Sequence, residues 1–374
     1  MSSERTRRDF LKKSLLGFSG MAAFSALSAC STLDEYIFED QFDLKDQVMI
    51  VGGGMSGLYL AYKLRQTRTE FRLLEGSDYF GGRVRSAQGL DYGASVFDKS
   101  DVQLQQLVKE FNLTTVSVSK DHFYISGGAE LVSQALQGRI AGLMPYRSLR
   151  LRWKLASIRV KEGKYEAVFE TPNGRRTIHC RKVALTLPPS QWSSVNGLLD
   201  LPDMLWAREW LQTLKPESIT KVNMITPNTG NVMALTAKKA RSAVLDKDSL
   251  VVLTKSLKNK QAGLEFEYTT RQNLNLTNFK IESPNNLEIE KIVDLINAKT
   301  NLSLSFKKLN TDSFYDWSSV GLIQSAYFKN DRPVPDAVKK NHHFQVFGDY
   351  SSAQKPHTVE GALLEADRVS SLFV

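Results

Sequence analysis

The run Val48-Met49-Ile50-Val51-Gly52-Gly53-Gly54-Met55-Ser56-Gly57-Leu58 joins an apolar segment to a helix through a glycine turn, and this junction decides the fold. Four consecutive apolar residues without alternation predict a strand buried on both faces, as in a parallel sheet. From Met55 to Arg65 the spacing becomes helical, with apolar positions at Leu58, Ala61 and Leu64. Phe71-Arg72-Leu73-Leu74 predicts a second strand ending at Glu75, so the chain opens as a βαβ unit. The first turn of such a unit takes a pyrophosphate at the helix N-terminus only where side chains are absent. Gly52 permits the tight turn, Gly54 lets main chain approach phosphate, and Gly57 with Ala61 lets the helix lie close to the strands. Ser56 lies in the same turn. Glu75, 23 residues after Gly52, is spaced to accept hydrogen bonds from a ribose hydroxyl. These residues predict an adenine dinucleotide site and leave NAD and FAD equally open.

Two downstream segments separate the cofactors. Gly81-Gly82-Arg83-Val84 and Asp91-Tyr92-Gly93-Ala94 follow the acidic strand end, and in this order they resemble the flavin-containing amine oxidase superfamily. The resemblance implies FAD, with Gly82, Arg83 and Arg85 along its pyrophosphate and Gly93 and Ala94 close to the flavin. A solvated loop is the plain alternative for the arginines. Lys182 to Pro189 resembles the family's strand returning to the cofactor domain, and Trp317 to Phe328 extends the similarity. Phe347-Gly348-Asp349 and Val359-Glu360-Gly361-Ala362 resemble its closing segment. That implies a ribityl–phosphate contact for Asp349, and for Gly361 and Ala362 a helix start beneath the flavin, where the dipole favours the reduced ring. Ser218-Ile219-Thr220-Lys221-Val222 resembles the segment whose lysine reaches toward flavin N5, often through a water, which makes Lys221 the catalytic candidate. A strand-edge lysine facing solvent is the alternative. No cysteine lies where some relatives attach FAD, so the expected binding is noncovalent. Two aromatic rings flank the flavin in the family's amine-oxidising members. Gln324 and Thr358 stand at the matching positions, with His357 one residue away, and Gln324 is a candidate polar positioning group.

The implied fold class is α/β: a Rossmann-like FAD-binding domain, with a parallel sheet, helices and a β-meander, plus a smaller, reduced α+β substrate domain. The first takes residues 47–195 and 312–374, the second residues 196–311. Alternation around 157–160 and 165–169, with a turn at Pro172-Asn173-Gly174, predicts the meander. Helices are expected over Gln103–Phe111 and from Ala129 to Leu136. Only Asn112 to Ser126 intervene where the family usually inserts a long helical stretch, which implies a reduced substrate domain and an open flavin. Strands at Leu250–Thr254 and Leu264–Tyr268 and a helix over Leu287–Lys299 are expected further on.

At the amino end, Arg7-Arg8-Asp9-Phe10-Leu11-Lys12 precedes an uncharged stretch from Ser14 to Ala29, and the pair resembles a bacterial twin-arginine export signal. Leu27-Ser28-Ala29-Cys30 resembles a lipobox, which implies acylation of Cys30; an ordinary signal peptide is the alternative. Residues 30–46 are acidic and aperiodic, and read as a tether. Removing residues 1–29 takes away five basic and two acidic residues and lowers the formal charge from +9 to +6. The remaining charge is dispersed, which argues against nucleic acid. Cys180 then stands alone, which leaves no internal disulfide and predicts a buried core thiol. The expectation is an exported, lipid-anchored, FAD-dependent oxidoreductase in the periplasm of a bacterial envelope. It would oxidise a small molecule or lipid and pass electrons to oxygen or a membrane acceptor. A flavin-binding partner subunit that has lost catalysis and a desaturase or isomerase of membrane lipids are the alternatives.

Overall fold

The structure is a computed structural model that describes residues 41–87, 89–142, 148–217, 219–227, 242–246, 250–256, 261–269, 294, 310–316, 327–329 and 334–374. The expected signal, Cys30, Gln324 and all but one residue of the helix expected over 287–299 lie outside them. β1 (Gln41–Asp43), β2 (Val48–Val51), α1 (Met55–Gln66) and β3 (Phe71–Leu74) open the chain, followed by α2 (Val102–Glu110) and α3 (Glu130–Ala141). β4 (Leu149–Arg150), β5 (Lys154–Lys161), β6 (Lys164–Thr171), β7 (Gly174–Cys180) and β8 (Lys182–Leu185) come next, then α4 (Ala207–Thr213). β9 (Ile219–Pro227), β10 (Ser242–Asp246), β11 (Leu250–Ser256), β12 (Gln261–Thr269) and β13 (Asn310–Asp316) precede β14 (Phe344–Val346) and α5 (Val359–Phe373).

The central sheet has the order β14-β8-β2-β3-β4, with every neighbouring pair parallel. Successive side chains of its strands enter two different cores, because a strand alternates its faces. Val48, Ile50, Phe71 and Leu73 pack with Leu58 of α1 and Leu363 of α5, whereas Met49, Val51, Leu74, Val183 and Leu185 pack with Phe169 and Ile178 of the meander. Both faces are therefore covered, which is why the strand reads as an unbroken apolar run. Leu58, Ala61 and Leu64 of α1 are fully buried, as their spacing predicts. Cys180 is a buried core residue; burial pushes its thiol up to about 12. The second large sheet is antiparallel, in the order β10-β11-β12-β9-β13, and contains the strands expected near 250 and 264. Residues 112–126 carry a hairpin of Thr115–Ser117 and His122–Ile125.

Three expected boundaries move. Residues 41–46 are not tether: β1 pairs in parallel with β7, and Leu44 is buried. Acidic composition misled here because an edge strand keeps one side in water; Asp43 meets the Lys164 ammonium at 2.5 Å while Phe42 packs on Trp153. Residues 196–214 join the core on the meander side of the central sheet, where Trp210 lies 5.6 Å from Trp192, centroid to centroid, and Leu198, Leu201 and Met204 are buried. Short 3-10 turns carry Leu198 and Met204, and α4, which carries Trp210, is only seven residues long, so little helical or strand period marks the segment. The expected return at residue 312 cuts through β13, which pairs with β9 in the antiparallel sheet.

The meander also carries a charge cluster that yields a pH prediction. Glu166 stands opposite Arg159 and His179 in the strand register, with Lys161 Nζ at 3.5 Å. Burial pushes its carboxyl up, but the bond from Arg159 and the charges of Arg159, Lys161 and His179 outweigh this and hold it below the usual carboxylate range. A depressed folded pKa gives stability that is present above the unfolded value and lost as pH falls through the folded one. Glu166→Gln should therefore reduce stability at neutral pH by less than about 1 kcal/mol, because Arg159 is largely exposed, and so lower Tm, and the difference should vanish in acid below the usual carboxylate range. Parallel thermal melts of the two chains across pH check this.

Candidate cofactor-binding site

The glycine turn is held by contacts that leave no room for side chains except at one place. Gly52 has φ +105°, its N–H donates to the Leu74 carbonyl at 2.9 Å, and a Cβ on it would stand 2.5 Å from Thr186 Oγ1. A Cβ on Gly57 would stand 2.0 Å from the Gly52 carbonyl oxygen. Gly53, to which the sequence reading gave no part, donates its N–H to Glu75 Oε2 at 2.5 Å, and its Cβ position is occupied by the Phe80 ring. Nothing lies within 4 Å of the Cβ position of Gly54, so the open side of the turn is there. Gly82, at φ +58°, packs its own Cβ position 3.1 Å from Gly54 Cα, and Gly54 and Gly81 form a bridge. α1 starts at this turn without a capping side-chain bond and without an acidic residue in its first turn, and Ser56 is buried within it. Its first amides and positive dipole end therefore face the open side as an anion site would require.

Glu75 is placed at the end of β3 as expected, but its carboxylate is already engaged by backbone. Oε2 accepts from Gly53 N–H and Oε1 from Ser77 N–H at 2.7 Å. Each oxygen retains acceptor capacity for a ribose hydroxyl. Beside it opens a cleft lined by Gly52, Glu75, Trp153, Leu155, Leu187 and Gln191. Trp153 and Gln191 escaped the sequence reading because they belong to no motif and reach the cleft from the meander and from the segment after β8.

Arg83 and Asp349 are 266 residues apart and meet in an ion pair of 2.5 Å, so the loop after β3 and the closing segment are joined. Ala94 N–H donates to the Arg83 carbonyl at 3.2 Å and Tyr92 N–H to that of Arg85 at 2.9 Å, which lays Gly93 and Ala94 alongside the arginine segment. Arg85 stands over the Tyr79 ring at 4.4 Å, so each arginine has a partner within the fold. The Asp349 carbonyl accepts from His357 N–H at 3.0 Å. A Cβ on Gly361 would stand 2.0 Å from the Lys355 carbonyl oxygen, and Ala362 is buried behind it. Thr358, expected at a substrate-wall position, is the N-cap of α5: its Oγ1 accepts from Gly361 N–H at 3.0 Å and donates to the Lys355 carbonyl at 2.8 Å. Thr358→Ala should cost about 1 kcal/mol by loss of the cap, read as a lowered Tm in urea or heat, while Thr358→Ser should retain most of it.

Two buried carboxylates tie the neighbourhood together and were invisible in sequence. Glu360 accepts from Gln103 and Leu104 N–H, both at 2.9 Å, and so caps α2 from α5; burial raises its carboxyl above the usual range. Glu265 accepts from Asp91 N–H at 2.6 Å. Asp91 Oδ1 in turn accepts from Ala129 N–H at 2.7 Å and from the Ser86 hydroxyl. Lys221 lies in β9, opposite Glu267 of β12 and Tyr315 of β13. It therefore sits inside the antiparallel sheet with strands on both sides, not at an edge. Gln324 lies outside the described residues.

A family model described as an NAD(P)-binding Rossmann-like domain matches residues 50–111. Among solved structures, the chain is similar to wild-type putrescine oxidase bound to putrescine, at 13% identity over 88% of this chain and 99% of that one, with a TM-score of 0.66. It is similar to cyclohexylamine oxidase from Brevibacterium oxydans IH-35A at 14% identity, over 87% of this chain and 98% of that one, with a TM-score of 0.66. A protein from Exiguobacterium sp. 255-15 assigned as a protoporphyrinogen oxidase matches at 11% identity over 87% of this chain and 98% of that one, with a TM-score of 0.64. At these identities the likeness is one of fold. The chain has a mixed α/β, Rossmann-like fold of the kind these oxidases share.

Proposed function

We propose that the protein is an exported FAD-dependent oxidoreductase of amine-oxidase type that binds its cofactor noncovalently. The observation that carries this reading is the open side of the glycine turn at Gly54, where an uncapped helix start meets Gly82, next in sequence to the Arg83 of the Arg83–Asp349 pair, an arrangement that suits a pyrophosphate. FAD bound there would accept at N5 a hydride from a C–H bond, as the adjoining C–N or C–C bond of the substrate is oxidised to a double bond with loss of a proton. Arg83, paired with Asp349, brings a guanidinium to the phosphate side, and Asp349 keeps acceptor capacity for ribityl hydroxyls. Glu75 takes a ribose hydroxyl at the cleft beside Trp153. Lys221 holds a water or oxygen near N5, and Gln324 orients the substrate. The parallel sheet with its meander forms the FAD-binding half, the antiparallel sheet the substrate half, and oxygen or a membrane acceptor receives the electrons.

The protein purified after native export should be yellow, should release FAD into the supernatant on acid precipitation, and should bleach anaerobically with a member of an amine panel. Folded protein without flavin overturns the reading. One observation favours a second reading, a flavin-binding partner subunit without catalysis: the Thr358 side chain is committed to capping α5, so the position that carries an aromatic wall in the resembled family carries none here. A yellow protein that no substrate bleaches would establish that alternative. The anchor is tested apart from the flavin. Cys30→Ser should move the exported protein from the membrane to the soluble periplasmic fraction and abolish incorporation of labelled fatty acid.

A further inference from the structure

Glu265 is 2% exposed, lies in the middle of β12, and ends its side chain on the backbone of a distant segment, Asp91, 174 residues away in sequence. β12 packs on the short strand Leu90–Asp91. Asp91 is itself fully buried and anchored to the start of α3 through Ala129 N–H and Ser86. A carboxylate in so dry a place is costly unless its bonds are made, and charge-assisted bonds to N–H are among the stronger ones. The strand register adds the functional link. Glu265 stands opposite Asn223 of β9, and position 221 is the next one along β9 on the same face of the sheet, about 7 Å away.

We propose that Glu265 is a positioning residue: it clamps the antiparallel sheet onto the Asp91–Ala94 segment and so sets the distance between Lys221 and the flavin. The inference rests on the flavin reading above. Lys221 belongs to one sheet and the segment beside the ring to another part of the fold, and a shift of about 1 Å between such groups is enough to cost an order of magnitude or more in rate. Among the described residues, the acceptor at 265 holds the two together where no strand pairing does.

The test uses the full-length chain with and without FAD. In the FAD-free chain Glu265→Ala should raise hydrogen exchange at the Asp91 amide about tenfold, the equivalent of one lost bond. In the FAD-loaded chain it should slow reoxidation by oxygen of the photoreduced cofactor, in which two electrons and two protons pass to oxygen to give hydrogen peroxide, by about fivefold. Glu265→Gln, whose amide oxygen still accepts from Asp91 N–H, should keep both within about twofold of the parent, a rescue that a role of the carboxylate charge alone does not require. In a Lys221→Met background Glu265→Ala should slow reoxidation no further, since coupled residues are not additive. Should the alanine chain fail to fold, Glu265→Asp, one methylene too short to reach, is held to the same outcomes. Faster exchange with unchanged reoxidation makes Glu265 a fold residue only and overturns the proposal, as does equal slowing with and without Lys221. A folded wild type that binds no FAD overturns the flavin reading instead, while the exchange result still reports the clamp.

Discussion

Gly57→Ala should yield a chain that retains little or no FAD and melts well below its parent. The added methyl carbon would stand 2.0 Å from the Gly52 carbonyl oxygen and 3.1 Å from its carbon, far inside contact distance, and the obstacle is main chain, not a side chain that can rotate away. Thr186, whose hydroxyl donates to that same carbonyl at 2.8 Å, blocks retreat of the turn. The helix must move off the sheet instead, which breaks the packing of Leu58 and Ala61. Overpacking in a tight core costs about 1–3 kcal/mol, and a backbone obstacle places this case at the upper end. The same displacement spoils the geometry at Gly54, where the pyrophosphate is proposed to sit, so cofactor content should fall further than stability does. Gly138→Ala is the matched control: it lies in α3 with nothing within 4 Å of its Cβ position, and should stabilise by about 0.5–1 kcal/mol through helix propensity. Calorimetry and the flavin-to-protein absorbance ratio of the three chains separate the cases, and a Gly57→Ala chain with full flavin content would refute the close-packed turn.

What could be read from sequence is what short-range pattern controls. The Val48–Val51 run, the helical spacing after Met55 and the distance to Glu75 are consequences of one βαβ unit, so each constrains the others within about thirty residues. Arg83 and Asp349 became legible only through resemblance, and their ion pair across the fold supports that alignment better than either motif alone. The failures share a cause. Glu360 and Glu265 act by accepting from amides on elements far away in the chain, and no local pattern distinguishes them from surface acids. Thr358, by contrast, caps the amide of Gly361 three residues on, a contact of the local kind that sequence pattern can carry. The packing of residues 196–214 leaves no local pattern, because Trp206 and Trp210 are held by aromatic contacts to Trp192, not by periodicity.

Asp349→Ala separates two effects of opposite sign. The carboxylate, 12% exposed, meets Arg83 Nη2 at 2.5 Å, so its removal takes one anionic partner from a cation, itself only 31% exposed, at the proposed phosphate site. Without cofactor that is unfavourable by about 1–3 kcal/mol, the cost of one lost charge-assisted bond, and Tm should fall. With a pyrophosphate present the sign of the charge term reverses, because the anion takes the place of the carboxylate and no acid repels it. Inorganic pyrophosphate or ADP should accordingly raise the Tm of the variant more than that of the parent. FAD affinity should still drop about tenfold, since the ribityl hydroxyls lose their acceptor and a hydrogen bond to a charged group outweighs a screened, partly exposed Coulomb gain. Asp349→Asn keeps an acceptor oxygen while removing the charge, so it should lose less FAD affinity than alanine yet show the same enhanced response to pyrophosphate. An alanine variant that binds FAD more tightly than the parent would mean that Asp349 holds Arg83 back from the phosphates and makes no contact with the ribityl chain.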